Sequence, residues 1–376
     1  MSTVADAVVI GGGIAGVSAA YELAADRRVI LVEQEAQLAH HTTGRSAAVF
    51  LESLGPRAVR ALTTASRADY AAAPTALGTP PLLHSRAALW LAPPDQLDRL
   101  RAMHAEQPEL VALDTAGTLE VCPVIRGEEA SASLMEPNAS DIDVMGLHQG
   151  YVRGFAARQG QIRKVWKAVD LVRAGRWWTV VADGDSIGCA DVVLAAGAWC
   201  DKLAARAGAR PVGLRPLRRT IAICPPSVPT EPHWPLVGDV DHTYYWRVEG
   251  PNILCSPADE TLTVPCDARP DEVDVAVALD RVNTAAALGL RSVVATWAGL
   301  RTFAPDRVPV AGADPQVAGL WWLAGQGGYG IQTAPAMARS LASLMRSQGL
   351  PADVRALGVT DQDLSPGRFF PRSEGD

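Results

Sequence analysis

The segment Ala7-Val8-Val9-Ile10-Gly11-Gly12-Gly13-Ile14-Ala15-Gly16 constrains this chain more than any other. An apolar run without alternation reads as a strand, and the glycines after it as a turn into a helix. A second apolar run, Arg28 to Val32, ends beside an acid, Glu33. Strand, glycine turn, helix, strand and acid in this order make the βαβ unit that binds a dinucleotide. Gly11 lets the chain turn sharply, Gly13 lets backbone amides approach a pyrophosphate, and Gly16 lets the helix pack close to the sheet. The helix start at Ile14 and Ala15 offers unpaired N–H groups and a positive dipole to phosphate. Glu33 is placed to accept hydrogen bonds from a ribose.

With 376 residues, 48% of them hydrophobic, the chain can form one large or two smaller domains. A net charge of -7 and the lack of a long basic run argue against a nucleic-acid partner. The apolar stretch Ala5–Ile10 lacks the flanks of a signal peptide, and no run of apolar residues is long enough to predict a transmembrane helix. The six cysteines form no CxxC pair and read as small buried hydrophobes in a reducing compartment. A cytoplasmic protein is expected, with peripheral membrane contact still compatible. The seven histidines lack metal-ligand spacing, so no metal site is expected, and His40 and His41 read as loop residues.

Periodicity predicts helices over 57–72, 95–106, 145–159, 271–287 and 331–347. Strands are expected at 86–92, around Val165–Leu171, and at 177–182, 191–196 and 321–324. Antiparallel strands at 220–224, 243–248 and 252–256 are expected in the middle, with a turn at Glu249-Gly250-Pro251-Asn252. Nucleotide-type elements thus bracket the chain and recur near residue 195. The expected fold class is α/β, with a Rossmann-like FAD-binding domain (1–80, 140–212 and 296–376). It is interleaved with an antiparallel-sheet substrate domain (81–139 and 213–295). FAD enters because a second glycine-rich turn, Gly325–Gly330, suggests a bipartite cofactor held by distant segments, which suits FAD better than NAD. A plain tight turn before the last helix is the alternative. In His41-Thr42-Thr43-Gly44-Arg45-Ser46-Ala47-Ala48, hydroxyls and backbone N–H groups can meet a cofactor, and Arg45 can neutralise phosphate or brace the loop. Thr42 or Thr43 can equally cap a helix. Arg218, Arg219, Tyr245 and Arg301 are candidate substrate ligands, because a guanidinium fork suits a carboxylate. From spacing alone, each arginine reads more readily as a surface or salt-bridging residue.

Together these motifs resemble the D-amino-acid oxidase superfamily of FAD enzymes. The local strings are similar to bacterial D-arginine dehydrogenases: HTTGRSAA at 41–48, LHQGYVRG at 147–154, AAGAWCD at 195–201, WAGLRTF at 297–303 and QGGYGIQT at 326–333. The resemblance spans nearly the whole chain. It implies that Arg219 and Arg301 hold a substrate carboxylate and that Tyr245 adds a hydroxyl. Gln332 and the Gly328 carbonyl would lie near the substrate amine. Thr43, Arg45, Ser46, Ala47 and Ala48 would line FAD, together with Val169, Ala196, Gly197, Gly327, Tyr329, Gly330, Ile331 and Thr333. Covalent attachment is not expected. Against the resemblance, Val49 and Leu54 replace a histidine and a tyrosine of the D-arginine dehydrogenases, and Ala88 replaces their guanidinium-binding glutamate. Burying an unpaired charge is costly, so an apolar or aromatic amino acid, of D configuration as the resemblance implies, or a cyclic imino acid, is expected rather than D-arginine or D-lysine.

The reaction so implied is oxidation of a C–N bond by hydride transfer from Cα to flavin N5. The imine formed hydrolyses to a keto acid and ammonia, and oxygen, a quinone or another acceptor reoxidises the flavin. A sarcosine- or glycine-type secondary amine oxidase, an enzyme of a biosynthetic amine, an NAD-dependent dehydrogenase and a non-catalytic flavoprotein are the rivals.

Overall fold

The computed structural model describes residues 3–370 apart from Ala168 and Asp183. A six-stranded sheet carries the nucleotide motif. Its strands run in the order Gln161–Arg163, Val29–Val32, Ala7–Ile10, Asp191–Leu194, Leu320–Ala324 and Val310–Ala313. The first five are parallel and the last is antiparallel. Both faces are buried, which explains the apolar runs without alternation. Val9, Leu31, Val193 and Leu323 face one core with the helices Ile14–Leu23, Val144–Ala157 and Ala334–Met345. Val8, Ile30, Val192 and Trp322 face another, against Trp178 and Val180 of a four-stranded sheet.

A ten-stranded sheet, mostly antiparallel, forms the second large layer. Its long strands are Arg215–Cys224 and Ala295–Phe303, paired antiparallel over nine positions. Strands Asn252–Ser256, Tyr245–Glu249, Leu236–Asp239 and Ala88–Ala92 extend it. Alternation divides its faces. Trp246 and Val248 pack with Ala278 and Val282 of the helix Glu272–Ala285, while Tyr245 lies on the opposite face. That second face is free to line a cavity.

Most expected elements form. The helix expected over 57–72 continues to Leu77, with Pro74 inside it. The final helix starts at Ala334 rather than Ile331, with proline in its first turn, where a missing N–H costs nothing. The strand expected around 165–171 is found at Asp170–Ala174, and Ala168 lies outside the described residues. The expected change of domain at 296 falls inside Ala295–Phe303, a continuous strand of the ten-stranded sheet. Among the described residues no helix is long and apolar enough to cross a membrane.

Candidate active site

Three adjoining cavities share walls. The first, of about 280 Å³, is a groove over the edge of the six-stranded sheet. Gly11, Gly13, Ile14, Ala15, Glu33, Thr43, Val169, Ala196, Gly197, Gly327 and Gly330 all line it, as the sequence led one to expect. Several glycines at or beneath it are sterically required. A Cβ on Gly11 would stand 2.5 Å from the Ala195 carbonyl oxygen, and one on Gly16 would stand 1.8 Å from that of Gly11. Gly16 therefore lies beneath the groove, holding the helix against the turn. The Glu33 carboxylate accepts from the Gly12 N–H (2.6 Å) and the Glu35 N–H (2.8 Å). The Thr43 hydroxyl accepts from the Ile14 N–H (3.0 Å), so it fixes the helix start. A backbone cradle at a helix N-terminus beside a carboxylate fits a dinucleotide's phosphates and ribose.

Sequence reasoning did not single out His148, which holds this turn from below. It is fully buried, and its Nε2 donates to the Gly12 carbonyl (3.0 Å). Burial pushes its pKa down, against the pull of that hydrogen bond.

The second cavity, of about 70 Å³, is a passage lined by Arg219, Tyr245, Arg301, Gly328 and Ser46 among others. Strand register explains the convergence. Leu217 pairs with Arg301 and Arg219 with Gly299, so the two arginines project from one face. Arg301 has no ion-pair partner among the described residues, and its guanidinium packs on Gly328, where a Cβ would lie 2.8 Å from Cζ. Arg219 is buried. Its Nε donates to the Asp259 carbonyl (2.8 Å), and Nη2 lies 3.5 Å from Glu260. Burial, followed by repulsion from Arg301, brings its pKa down to about 10, which leaves it a cation at neutral pH. The Tyr245 hydroxyl is buried without a hydrogen-bond partner among the described residues. Two convergent guanidiniums and an orphaned hydroxyl suit one bound carboxylate. Arg218 points elsewhere, to Asp274 (2.6 Å).

The third cavity is a chamber of about 580 Å³ that shares Arg219, Tyr245, Arg301 and Gly328 with the passage. Val49, Leu51, Leu54, Trp90, Leu236 and Phe303 form an apolar wall. Buried Glu136 sets the loop that carries Leu54, accepting from the Glu52 N–H (2.7 Å) and the Ser53 hydroxyl (2.5 Å). The opposite wall is polar and was not foreseen: Asp241, His242, Glu260, Arg281 and Arg307 come from loops and a helix far apart in sequence. His242 stacks edge-on against Trp90, with centroids 4.9 Å apart. Protein surrounding this imidazole lowers its pKa, Asp239 and Asp241 oppose that shift, and Arg219 and Arg301 add to it.

Several expected ligands are placed differently. Ala88 is fully buried behind the apolar wall, and Trp90, two residues along the same strand face, reaches the chamber instead. Gln332 lines the chamber, but its amide is spent on Leu51 (3.2 and 3.1 Å) and Thr63 (2.8 Å). Thr333 is buried, donating to the Tyr329 carbonyl (2.8 Å) ahead of the last helix. Arg45 braces rather than reaching for phosphate. It donates to the carbonyls of Ala268 and Ala298 and pairs with Asp267. Its loop is thereby sewn to the strand Ala295–Phe303, aided by Thr42 to Leu300 (2.8 Å) and Trp297 to Arg45 (2.9 Å). Ser46 and Ala47 border passage and chamber, Ala48 and Tyr329 border the chamber, and Ile331 borders both. His40, His41 and Asp267 bring ligand-type atoms within 4.8 Å of one another, a grouping that linear spacing could not show.

A glycine-cradled nucleotide groove opening onto a cationic passage defines a dinucleotide-dependent enzyme class. The family model for FAD dependent oxidoreductases matches residues 6–344, and the chain belongs to that family. FAD is its cofactor. A glycine oxidase of Pseudomonas putida is 25% identical over 354 residues, 90% of this chain and 93% of that one. Among solved structures, glycine oxidase from Geobacillus kaustophilus superposes with a TM-score of 0.81 at 20% identity, covering 96% of this chain and 99% of the other. L-proline dehydrogenase from P. horikoshii gives 0.84 at 18% identity, over 98% of each chain. These two structural likenesses are likenesses of fold.

Proposed function

We propose that the protein oxidises the C–N bond of an amino acid or related amine bearing a carboxylate. The observation that carries this reading is the convergence of Arg219, Arg301 and the unpartnered Tyr245 hydroxyl where groove and chamber meet. The two guanidiniums hold the substrate carboxylate, and Tyr245 donates to it. Fixing that end orients Cα toward the groove, and such placement removes much of the entropic barrier. The same positive charge favours a neutral substrate amine, whose lone pair can then form the C=N bond. FAD, when bound, supplies the two-electron acceptor. The imine product hydrolyses to a keto acid and ammonia. Glu33, Thr43 and the backbone of Gly11–Ala15 are proposed to hold FAD non-covalently, with Gly197, Gly327 and Gly330 on its second side. The FAD-holding part is proposed to comprise 1–80, 140–212 and 304–376, and the substrate part 81–139 and 213–303, which keeps the strand Ala295–Phe303 whole within its sheet.

The apolar wall of Val49, Leu51, Leu54 and Trp90 supports apolar, aromatic or cyclic substrates. The chamber carboxylates are already paired with protein arginines, so a D-arginine or D-lysine side chain would find no free acid. The full-length likeness to a glycine oxidase supports a second reading, a small or N-alkylated amine. Six free cysteines, five of them buried, support a cytoplasmic location.

The test is anaerobic bleaching of the flavin near its visible band (about 450 nm, as for oxidised flavins). The panel holds both enantiomers of leucine, phenylalanine, tryptophan, arginine, aspartate and glutamate, with proline, glycine, sarcosine and iminodiacetate. Bleaching by an apolar or cyclic member is expected. Arginine as the best substrate would overturn the pocket reading, and silence across the panel would favour a non-catalytic flavoprotein.

A further inference from the structure

We infer that the chamber selects substrates with a second anionic group, and that Arg281 receives it. This rests on the reading that Arg219 and Arg301 clamp the first carboxylate. The chamber's three acids are already paired: Asp241 with Arg99, Glu260 with Arg307 at 2.7 Å, and Asp259 with Arg218 at 3.7 Å and Arg219 at 3.9 Å. Among the described residues, two of the lining arginines have no carboxylate within 4.0 Å, Arg301 and Arg281. The clamp accounts for Arg301. Arg281, an exposed side chain on the chamber lining, is left as a solvated cation with no protein counter-charge.

Arg281 is also held in place. Its Nη1 donates to two main-chain carbonyls, Thr243 (2.5 Å) and Pro257 (2.8 Å). These lie on the segments leading into Tyr245–Glu249, the strand that brings Tyr245 to the passage, and out of Asn252–Ser256, its antiparallel neighbour. Neutral carbonyls fix the guanidinium without cancelling its charge, and one edge remains for a ligand. A guanidinium already ordered loses little further freedom on binding. The chamber, at about 580 Å³, is also roomier than a single small amino acid needs. Its apolar wall of Trp90, Leu236 and Leu54 suits a methylene or ring spacer between the two acidic ends. The chemistry indicated is an amino or imino diacid whose far end is a carboxylate or an equivalent oxyanion.

The experiment uses the FAD-loaded protein and redox-inert probes. Glutarate, adipate and pimelate are titrated by calorimetry and by flavin absorbance, each against its monomethyl ester. At least one diacid is expected to bind about tenfold more tightly than its ester, the worth of one charge-assisted contact. Arg281→Gln is expected to bring that ratio close to one, and Arg281→Lys to retain part of it. Comparison is made between variants with wild-type FAD content and circular dichroism, and the lysine variant stands in if the glutamine variant does not fold. A ratio near one at every chain length in the wild type, or a wild-type ratio in Arg281→Gln, would overturn the inference. Failure of the redox reading looks different: diacids still bind through Arg281, but no amine reduces the flavin.

Discussion

The groove and the chamber handle anions by opposite means. In the groove, charge is met by backbone N–H groups and a helix terminus, and the side chains are mostly absent because the turn has no room for them. In the chamber and its passage, charge is met by guanidiniums on a sheet face and on the helix Glu272–Ala285. The first device depends on local chain geometry and has no room for an added atom at Gly11 or Gly16. The second depends on strand register and tolerates changes of shape but not of charge. Substitutions should therefore separate the two: groove changes should remove the cofactor, and chamber changes should spare it while altering substrate.

The largest effect is expected from Arg301→Ala. It removes a cation that has no competing ion pair in the protein, and loss of one partner of a charge-assisted pair costs about 3 kcal/mol, roughly a hundredfold in kcat/KM. FAD content should be retained. Steady-state kinetics with a substrate found by bleaching checks this, and a near-wild-type value would take Arg301 out of the site.

Gly16→Ala tests the other side of the comparison. The new Cβ would stand 1.8 Å from the Gly11 carbonyl, which is backbone and cannot swing away. Overpacking of this kind costs about 1–3 kcal/mol, so FAD should bind some ten- to hundredfold more weakly. Fluorescence titration of the apoprotein reads it. Unchanged affinity would mean that the cradle adapts and that the comparison is overdrawn.

Tyr245→Phe should act on substrate alone and more weakly. Loss of one hydrogen bond to a carboxylate is worth about 1.5 kcal/mol, roughly a tenfold rise in KM. Because the hydroxyl is buried without a partner, the same change should leave the thermal midpoint equal or higher. A lower midpoint would show that the hydroxyl has a structural bond.

The contrast also explains what the sequence could and could not disclose. Groove residues sit within one βαβ unit or one glycine turn, so their spacing is their geometry, and Gly11, Gly13, Glu33 and Gly327 are legible from order alone. Arg219 and Arg301 stand as candidates on guanidinium chemistry alone, level with Arg218, and only the resemblance sets them above it, since an arginine on a strand carries no local mark of its purpose. Trp90 shares the strand face of Ala88, but its larger side chain two residues along reaches the chamber while Ala88 stays fully buried, a difference of reach that the sequence position alone does not carry. Arg281, His242 and Arg307 were out of reach for a different reason. Each owes its place to loops and a helix folding over the sheet, and no periodicity encodes that. Arg45 and Gln332 show the converse: motif residues whose polar atoms are consumed in bracing the loops that form the site.

The smallest expected effect joins the two devices, because a side chain outside the glycine motif supports the groove. Burial lowers the His148 pKa below its ordinary value near 6.5, so the folded protein holds this ring neutral. The unfolded chain then binds the extra proton first as pH falls, and stability drops from about pH 6.5 downward until the folded-state value is reached. Protonation there also sets a charge beneath the Gly12 carbonyl, behind the turn that cradles FAD. His148→Gln keeps an N–H donor and removes the titration. Between pH 7 and pH 5 the variant should lose less thermal stability, and release less flavin fluorescence, than the wild type. Parallel acid limbs in the two proteins would assign the loss to other groups and leave the groove dependent on its backbone alone.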